Sequence, residues 1–224
     1  FEEIDEDYLV NEDQIVSYRL IKGNVLDQKT YKTLMTDVNN TVYYNKALHF
    51  IDFKPRTKKE INEYLTKFQL DESTINKIVK KLEKIGFIDD ERYANRYTEE
   101  LIRKGKGKKA IYNLLIKKGI EQDLINENLS KYEKDDEFAN ALRIAEKLVK
   151  PESDYPIKKQ KMQLIEKLLR EGYGQDAINY AMSNITFTDN SQERLIKEYE
   201  KLQDKNIEKE KIIARLLAKG YEYS

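Results

Sequence analysis

Four short strings decide how this chain is read: "YLTKFQL" at residues 64–70, "LLIKKGI" at 114–120, "KLLREGY" at 167–173 and "RLLAKGY" at 215–221. Each is anchored on one leucine, Leu65, Leu115, Leu168 and Leu216, at separations of 50, 53 and 48 residues. The register carries on past the strings. Ile75-Asn76, Ile125-Asn126 and Ile178-Asn179 follow at matching offsets, then Val79, Leu129 and Met182, then Leu82, Tyr132 and Ile185. Apolar residues at i, i+4 and i+7 mark one face of an amphipathic helix, here written three times. A fixed period of this length is the signature of a repeat protein.

Each unit reads as helix, connection, helix, turn, helix. In the first, the chain breaks at Pro55 and restarts at Thr57-Lys58-Lys59-Glu60, a capping box in which hydroxyl and carboxylate each satisfy an otherwise orphaned amide. Gly119, Gly172 and Gly220 close the second helices, where a left-handed glycine ends a helix. Gln69 holds that place in the first unit, so a different turn is expected there. The joins "IDDERYANRY" (88–97) and "EKDDEFANAL" (133–142) each carry an aspartate pair, read as caps at helix starts rather than as acid–base or metal-binding pairs.

The expected fold is therefore all-α: tandem three-helix repeats stacked into an elongated, curved array behind a short N-terminal extension. The boundaries follow: 1–40 a helical N-terminal segment, 41–88 the first repeat, 89–134 the second, 135–188 the third, and 189–224 an incomplete fourth. Leu20, Gly23, Val25 and Leu26 suggest a short helix, a glycine turn and another helix inside the first segment.

Composition narrows the function. Charged residues make up 37% and hydrophobic ones 39%, which suits a helical protein with much exposed surface. Net charge is zero, so whole-molecule attraction to nucleic acid is not expected, yet the charge is uneven. Residues 1–20 hold seven acids and one base, whereas residues 101–120 hold seven bases and no acid. With no cysteine there is neither a disulfide framework nor a thiolate site, and no apolar run approaches the roughly 20 residues that span a bilayer. A cytoplasmic protein without membrane contact is expected.

The basic run centres on "RKGKGKKA", residues 103–110. It is not a Walker A loop, because Gly105 and Gly107 are two apart with no Gly-Lys-Ser/Thr after them. The dinucleotide fingerprint fails at Ala110. The repeat places the run between the first and second helices of the second unit, where helix-start amides and lysines could hold a phosphate or a protein carboxylate. The alternatives left open are a solvated loop and part of a binding face. The single histidine, His49, sits on an apolar helix and has no second histidine for a zinc set. Tyr64, Tyr132 and Tyr173 fall at core positions, leaving Tyr93, Tyr97 and Tyr112 near the basic run. Trihelical units invite comparison with DNA-reading folds, but the third helices differ in charge: "TINKIVKKLEKIG" is basic and "LINENLSKYEKDD" is not.

Taken together, "LIKGNVLD" (20–27), "RTKKEINEYL" (56–65), "GFIDDERYANRY" (86–97) and "KGKGKKAIYNLLIKKGI" (104–120) resemble the RecX family of recombination regulators over nearly the whole chain. The resemblance implies all-helical tandem repeats and a non-enzymatic protein, with no cofactor, that binds the RecA filament on single-stranded DNA. It implies modulation, usually inhibition, of recombinase, ATPase and coprotease activities in DNA repair and the SOS response, and leaves direct contact with the single-stranded DNA open. A monomer is expected. Family positions map onto Arg56, Arg92, Tyr93, Lys106, Gly107 and Lys109, and Arg96, Arg103, Lys104 and Lys108 join them as partner-binding candidates. Gly105 reads as added flexibility before the basic loop, and charge reversal at Lys106, Lys108 and Lys109 is expected to weaken RecA inhibition while leaving helicity and melting unchanged. The rival readings are a tandem helical nucleic-acid module acting without RecA and a scaffold for an unrelated protein.

Overall fold

The computed structural model describes residues 8, 10–149, 155–187, 191–205 and 207–221, and every regular element among them is an α-helix. The chain divides into two compact units, residues 1–93 and 94–224.

In the first unit, α1 (Glu12–Ser17) leads into α2 (Gln28–Asp52), α3 (Lys58–Thr66) and α4 (Glu72–Lys84), and α5 (Asp90–Arg103) begins. Helix α2 runs unbroken through residue 41, so residues 28–40 of the N-terminal segment belong to the first helix of the first trio. The three helices of that trio close on Ala47, Ile61, Leu65, Ile75, Ile78, Val79, Leu82 and Ile88. Aromatics line its rim: Phe50 stacks on Tyr64 at 4.2 Å, and Tyr64 meets Phe68 edge-on at 5.3 Å. Helix starts are set locally. Asp27 and Asp71 accept from the amides of Thr30 and Thr74, and Thr57 and Glu60 form the anticipated capping box. The short α1 is tied to α2 by buried Gln14, which donates to the Thr41 hydroxyl at 3.1 Å.

The second unit holds most of α5, then α6 (Lys108–Lys118), α7 (Gln122–Ser130), α8 (Lys134–Leu148), α9 (Ile157–Arg170), α10 (Gln175–Asn184), α11 (Ser191–Gln203) and α12 (Lys209–Ala218). Helices α8, α9 and α10 surround Ala141, Ala145, Leu164, Leu168, Tyr173, Ala177, Ile178 and Ala181. Alanines on α8 and α10 bring those two helices close, and the leucines of α9 fill the remaining volume. Half a trio follows, with Ile212, Leu216 and Tyr221 of the α12 segment packed on Leu195, Tyr199 and Leu202 of α11.

The four anchor leucines play one role. Leu65, Leu115 and Leu168 are fully buried and Leu216 nearly so, each on the second helix of its unit. Just beyond each, the backbone turns left-handed. Gly119, Gly172 and Gly220 have φ of 82°, 88° and 93°, and amides of Ile120, Tyr173 and Tyr221 bond back to the carbonyls of Leu115, Leu168 and Leu216. That is the Schellman closure. The turn at Gln69 differs, as expected: it keeps the left-handed φ, 57°, bearing strain that glycine avoids, but its amide bonds to the Thr66 carbonyl without the closing bond from Leu70 to Leu65.

Two further expectations are corrected. Gly105 (φ 78°) is buried and closes α5 in the same way, with Lys106 N–H bonded to Leu101 O, so it ends a helix and adds no flexibility. Of the aspartates, Asp89 caps α5 through the Arg92 amide at 2.8 Å, whereas Asp135 and Asp136 lie inside the exposed first turn of α8. His49 is exposed, 3.9 Å from Asp52.

Because Gln69 occupies a conformation that costs an L-residue about 1–2 kcal/mol, Gln69→Gly should stabilise the protein by about 0.5–1 kcal/mol once the greater freedom of glycine in the unfolded chain is set against that relief. Chemical denaturation checks this, through a raised midpoint at unchanged slope.

Candidate partner-binding surface

The basic run is not a free loop. It is docked on the turn that joins α9 to α10, 65 residues away. Gly107 leaves α6 with no side-chain cap, so its first amides need acceptors from elsewhere. The structure supplies them from the third trio: Gly107 N–H donates to the Glu171 carbonyl at 2.8 Å, Lys109 N–H to the Gly172 carbonyl at 3.1 Å, and Lys108 N–H to the Glu137 carboxylate at 3.1 Å. The amides that could have cradled a phosphate are therefore occupied by groups of the same chain.

This approach needs glycine on both sides. A Cβ at Gly107 would lie 2.5 Å from the Gly172 oxygen, and one at Gly172 would lie 2.3 Å from the Ala110 nitrogen. The Tyr173 hydroxyl, fully buried, donates to the Gly105 carbonyl at 3.0 Å and is also hydrogen-bonded to the Tyr132 hydroxyl, which accepts from Asn140 at 3.0 Å. Burial, with Tyr132 and Glu137 beside it, pushes the Tyr173 hydroxyl well above its ordinary range, so it serves as a neutral donor.

Charge reinforces the contact. Glu171 receives Lys106 Nζ and Lys167 Nζ, each at 2.5 Å. Burial works against the charged form of Glu171, but the two lysine hydrogen bonds and charges outweigh it and hold the carboxyl below its usual range.

The candidate residues consequently separate by environment. Arg56 is mostly buried, its guanidinium 3.7 Å from the centre of the Phe50 ring and 3.8 Å from Glu60. Gly107 is buried in the joint, Lys106 is paired with Glu171, and half-buried Lys108 lies 5.7 Å from the centre of the Tyr132 ring. Lys104 pairs with Glu100 one turn earlier on α5. Arg92 is exposed beside Asp89, and Tyr93, like Tyr97 and Tyr112, is half-buried. Arg96, Arg103 and Lys109 are exposed. Arg92, Arg96 and Arg103 fall on one side of α5 by helical spacing. Reversing Lys106 would set a carboxylate against Glu171, so such a variant does not leave folding untouched.

Sequence reading missed Glu137 and Glu171, and it placed Asp90 rightly as a cap but on the start of its own helix. Asp90 accepts from the Lys58 amide at 2.9 Å, as Glu137 does from that of Lys108: in each case the first helix of the next trio caps the second helix of the one before. Burial pushes the Asp90 carboxyl up against the opposing pull of Lys58. A signal existed for Glu171, which stands where the second and fourth units carry Lys118 and Lys219. Among the described residues no acid, histidine and cysteine cluster could hold a metal ion, and no helix is long and apolar enough to cross a membrane.

Gly172→Ala combines left-handed strain with a backbone collision and should cost about 2–4 kcal/mol. Gly174→Ala, whose Cβ meets open space, should stay within about 1 kcal/mol; thermal melting of the two variants compares them. Because the Glu171 carboxyl is depressed in the folded state, its contribution is present above the ordinary carboxylate value of 4.5 and is lost as pH falls through its folded value. Glu171→Gln should therefore lower stability by about 1 kcal/mol at pH 7, a figure kept small by partly exposed lysines, and the difference from the parent should vanish in acid. Denaturation across pH 3–7 measures both limbs.

Comparison with known proteins agrees with this architecture. The family model described as RecX, first three-helix domain, matches residues 44–82, and that described as RecX, second three-helix domain, matches residues 89–129. The regulatory protein RecX of Staphylococcus carnosus is 30% identical, over 96% of this chain and 84% of its own length. Its counterpart in Listeria monocytogenes is also 30% identical, over 98% of this chain and 86% of its own. A crystal structure of regulatory protein RecX superposes with a TM-score of 0.69 at 25% identity, covering 78% of this chain and 87% of that one. RecX from Lactobacillus salivarius gives 0.59 at 28% identity, over 64% and 94%. With tandem trios, matched domain models and relatives aligned along nearly its full length, the chain belongs to the RecX family of regulatory proteins.

Proposed function

We propose that this chain binds RecA recombinase filaments on single-stranded DNA and inhibits their recombinase, ATPase and coprotease activities in DNA repair and the SOS response. The observation that carries the reading is the near-full-length similarity to proteins named as the regulatory protein RecX. The domain architecture supports it. Tandem trios offer several modest contact patches on one chain, and a filament offers the same surface many times over, so weak contacts add through effective concentration.

The exposed cations Arg92, Arg96, Arg103 and Lys109 provide electrostatic steering toward acidic filament surface. Lys106, Gly107 and Lys108 act one step removed, by holding the start of α6 against the α9–α10 turn. Inhibition is a shift in population: a bound chain that favours the filament state unable to extend or turn over nucleotide draws the filament toward that state.

The decisive measurement is RecA-dependent ATP hydrolysis on single-stranded DNA with and without this protein. A falling rate as the protein is added is expected, and a rate unchanged at saturation overturns the reading. The variant Arg96→Glu/Arg103→Glu/Lys109→Glu should raise the half-inhibiting concentration at least about tenfold, equivalent to about 1.4 kcal/mol, with melting unchanged. Lys106→Glu, by contrast, should lower the melting temperature.

A further inference from the structure

Beyond their buried faces, the second helices of the last three units share an apolar feature. The residue directly after each anchor leucine is Ile116 on α6, Leu169 on α9 and Leu217 on α12, and these are 43%, 53% and 47% exposed. One turn earlier on the same side of each helix stand Tyr112, Ile165 and Ile213, all half-buried. Each helix thus shows a two-residue apolar ridge that rises from the edge of its core into solvent. A single exposed aliphatic side chain means nothing by itself. Three at one repeat position are different, because the exposed positions around them have not kept their chemistry. The place three residues before holds Asn113, Glu166 and Ala214, and the place after holds Lys117, Arg170 and Ala218. Duplication alone would have let all of these drift alike. The first unit lacks the ridge: its equivalent positions are Asn62 and Thr66, and the Thr66 hydroxyl donates to the Asn62 carbonyl at 2.8 Å.

We infer that these ridges are the apolar anchors by which the chain seats on a protein polymer, each entering the same hollow on a different identical subunit. The inference rests on the filament reading proposed above and names the side chains that make the contact. The choice of partner follows from the repetition. A surface that keeps one apolar element in three registers while its neighbours diverge matches a partner that offers one receptor several times; a single-copy partner would present three unlike environments. Each ridge is also too small to act alone, since two side chains cover far less than the roughly 800 Å² per partner of a standard interface. Joined on one chain, they add through effective concentration. The ridges are continuous with the steering cations. Exposed Lys109 stands one turn before Tyr112 on the ridge side of α6, and Lys117 and Arg170 adjoin Ile116 and Leu169. An apolar centre with a charged rim is the anatomy of a protein interface, and a basic rim calls for acidic residues around the receiving hollow.

The test is the full-length variant Ile116→Ala/Leu169→Ala/Leu217→Ala, which removes the ridge tips and keeps helix propensity. Helicity and melting should match the parent, since all three tips are exposed. Cosedimentation with RecA filaments on single-stranded DNA reports contact, and ATP hydrolysis reports its consequence. Each single substitution should weaken both by a similar factor of about three, and the triple by about thirtyfold, the product expected of independent anchors. Thr66→Ala, at the same register in the first unit, should act as the parent does. The deficit of the triple variant should persist at about 300 mM salt, where screening erases that of a charge variant. A parent that cosediments without slowing hydrolysis overturns the inhibitory reading alone, and cosedimentation then judges the ridges. A parent that inhibits, matched by the triple variant in both assays, overturns the inference alone. A parent that does not cosediment overturns both. A loss confined to one of the three single variants also overturns the inference, because a unique receptor would produce it. So does a parent that self-associates in analytical sedimentation where the triple variant is monomeric, because the ridges would then serve a second copy of this chain.

Discussion

The second unit depends on the meeting of two glycine backbones. Gly107 at the start of α6 and Gly172 at the end of α9 come so close that neither tolerates a Cβ. What they gain is hydrogen bonding between helix ends. Amides orphaned at the start of one helix meet carbonyls left over at the end of another, from a different trio. Glu137, Glu171 and Tyr173 then add a carboxylate cap, an ion pair and a buried hydroxyl bond to the same contact. A small trihelical unit buries too little to stand alone with ease, and a joint built from helix ends leaves the sides of its helices uncommitted.

That arrangement explains how the basic residues divide. A lysine beside the joint is drawn into it, as Lys106 is by Glu171, and its charge is neutralised internally. Lys109, Arg103 and Arg96 remain exposed to solvent. The most basic stretch of a chain is thus not by that fact its binding surface.

The two cross-caps extend the same logic along the chain. Asp90 and Glu137 sit 47 residues apart (137 − 90), close to the repeat period, and each satisfies the start of the preceding second helix. A repeat that closes its own helix ends with the next copy's side chains makes each trio's local structure depend on its neighbour. In the first trio Thr57 supplies a local cap as well, whereas α6 has only glycine at that position and relies wholly on its neighbours.

The amino-acid sequence by itself determined the helices, their order and their buried faces. Those depend on spacing within a few residues: Leu65, Leu115 and Leu168 on their helix faces, the Thr57–Glu60 box, and glycine where the backbone must turn left-handed. Even Gln69, the exception, keeps the left-handed backbone of its position at a cost in strain. Tertiary structure alone decided which charges are free. The Lys106 ammonium meets Glu171 across 65 residues, and the Glu137 carboxylate is taken by the Lys108 backbone amide across 29. Local periodicity reaches only one or two helical turns, whereas these partners are chosen by how one trio's helix ends lie against the next.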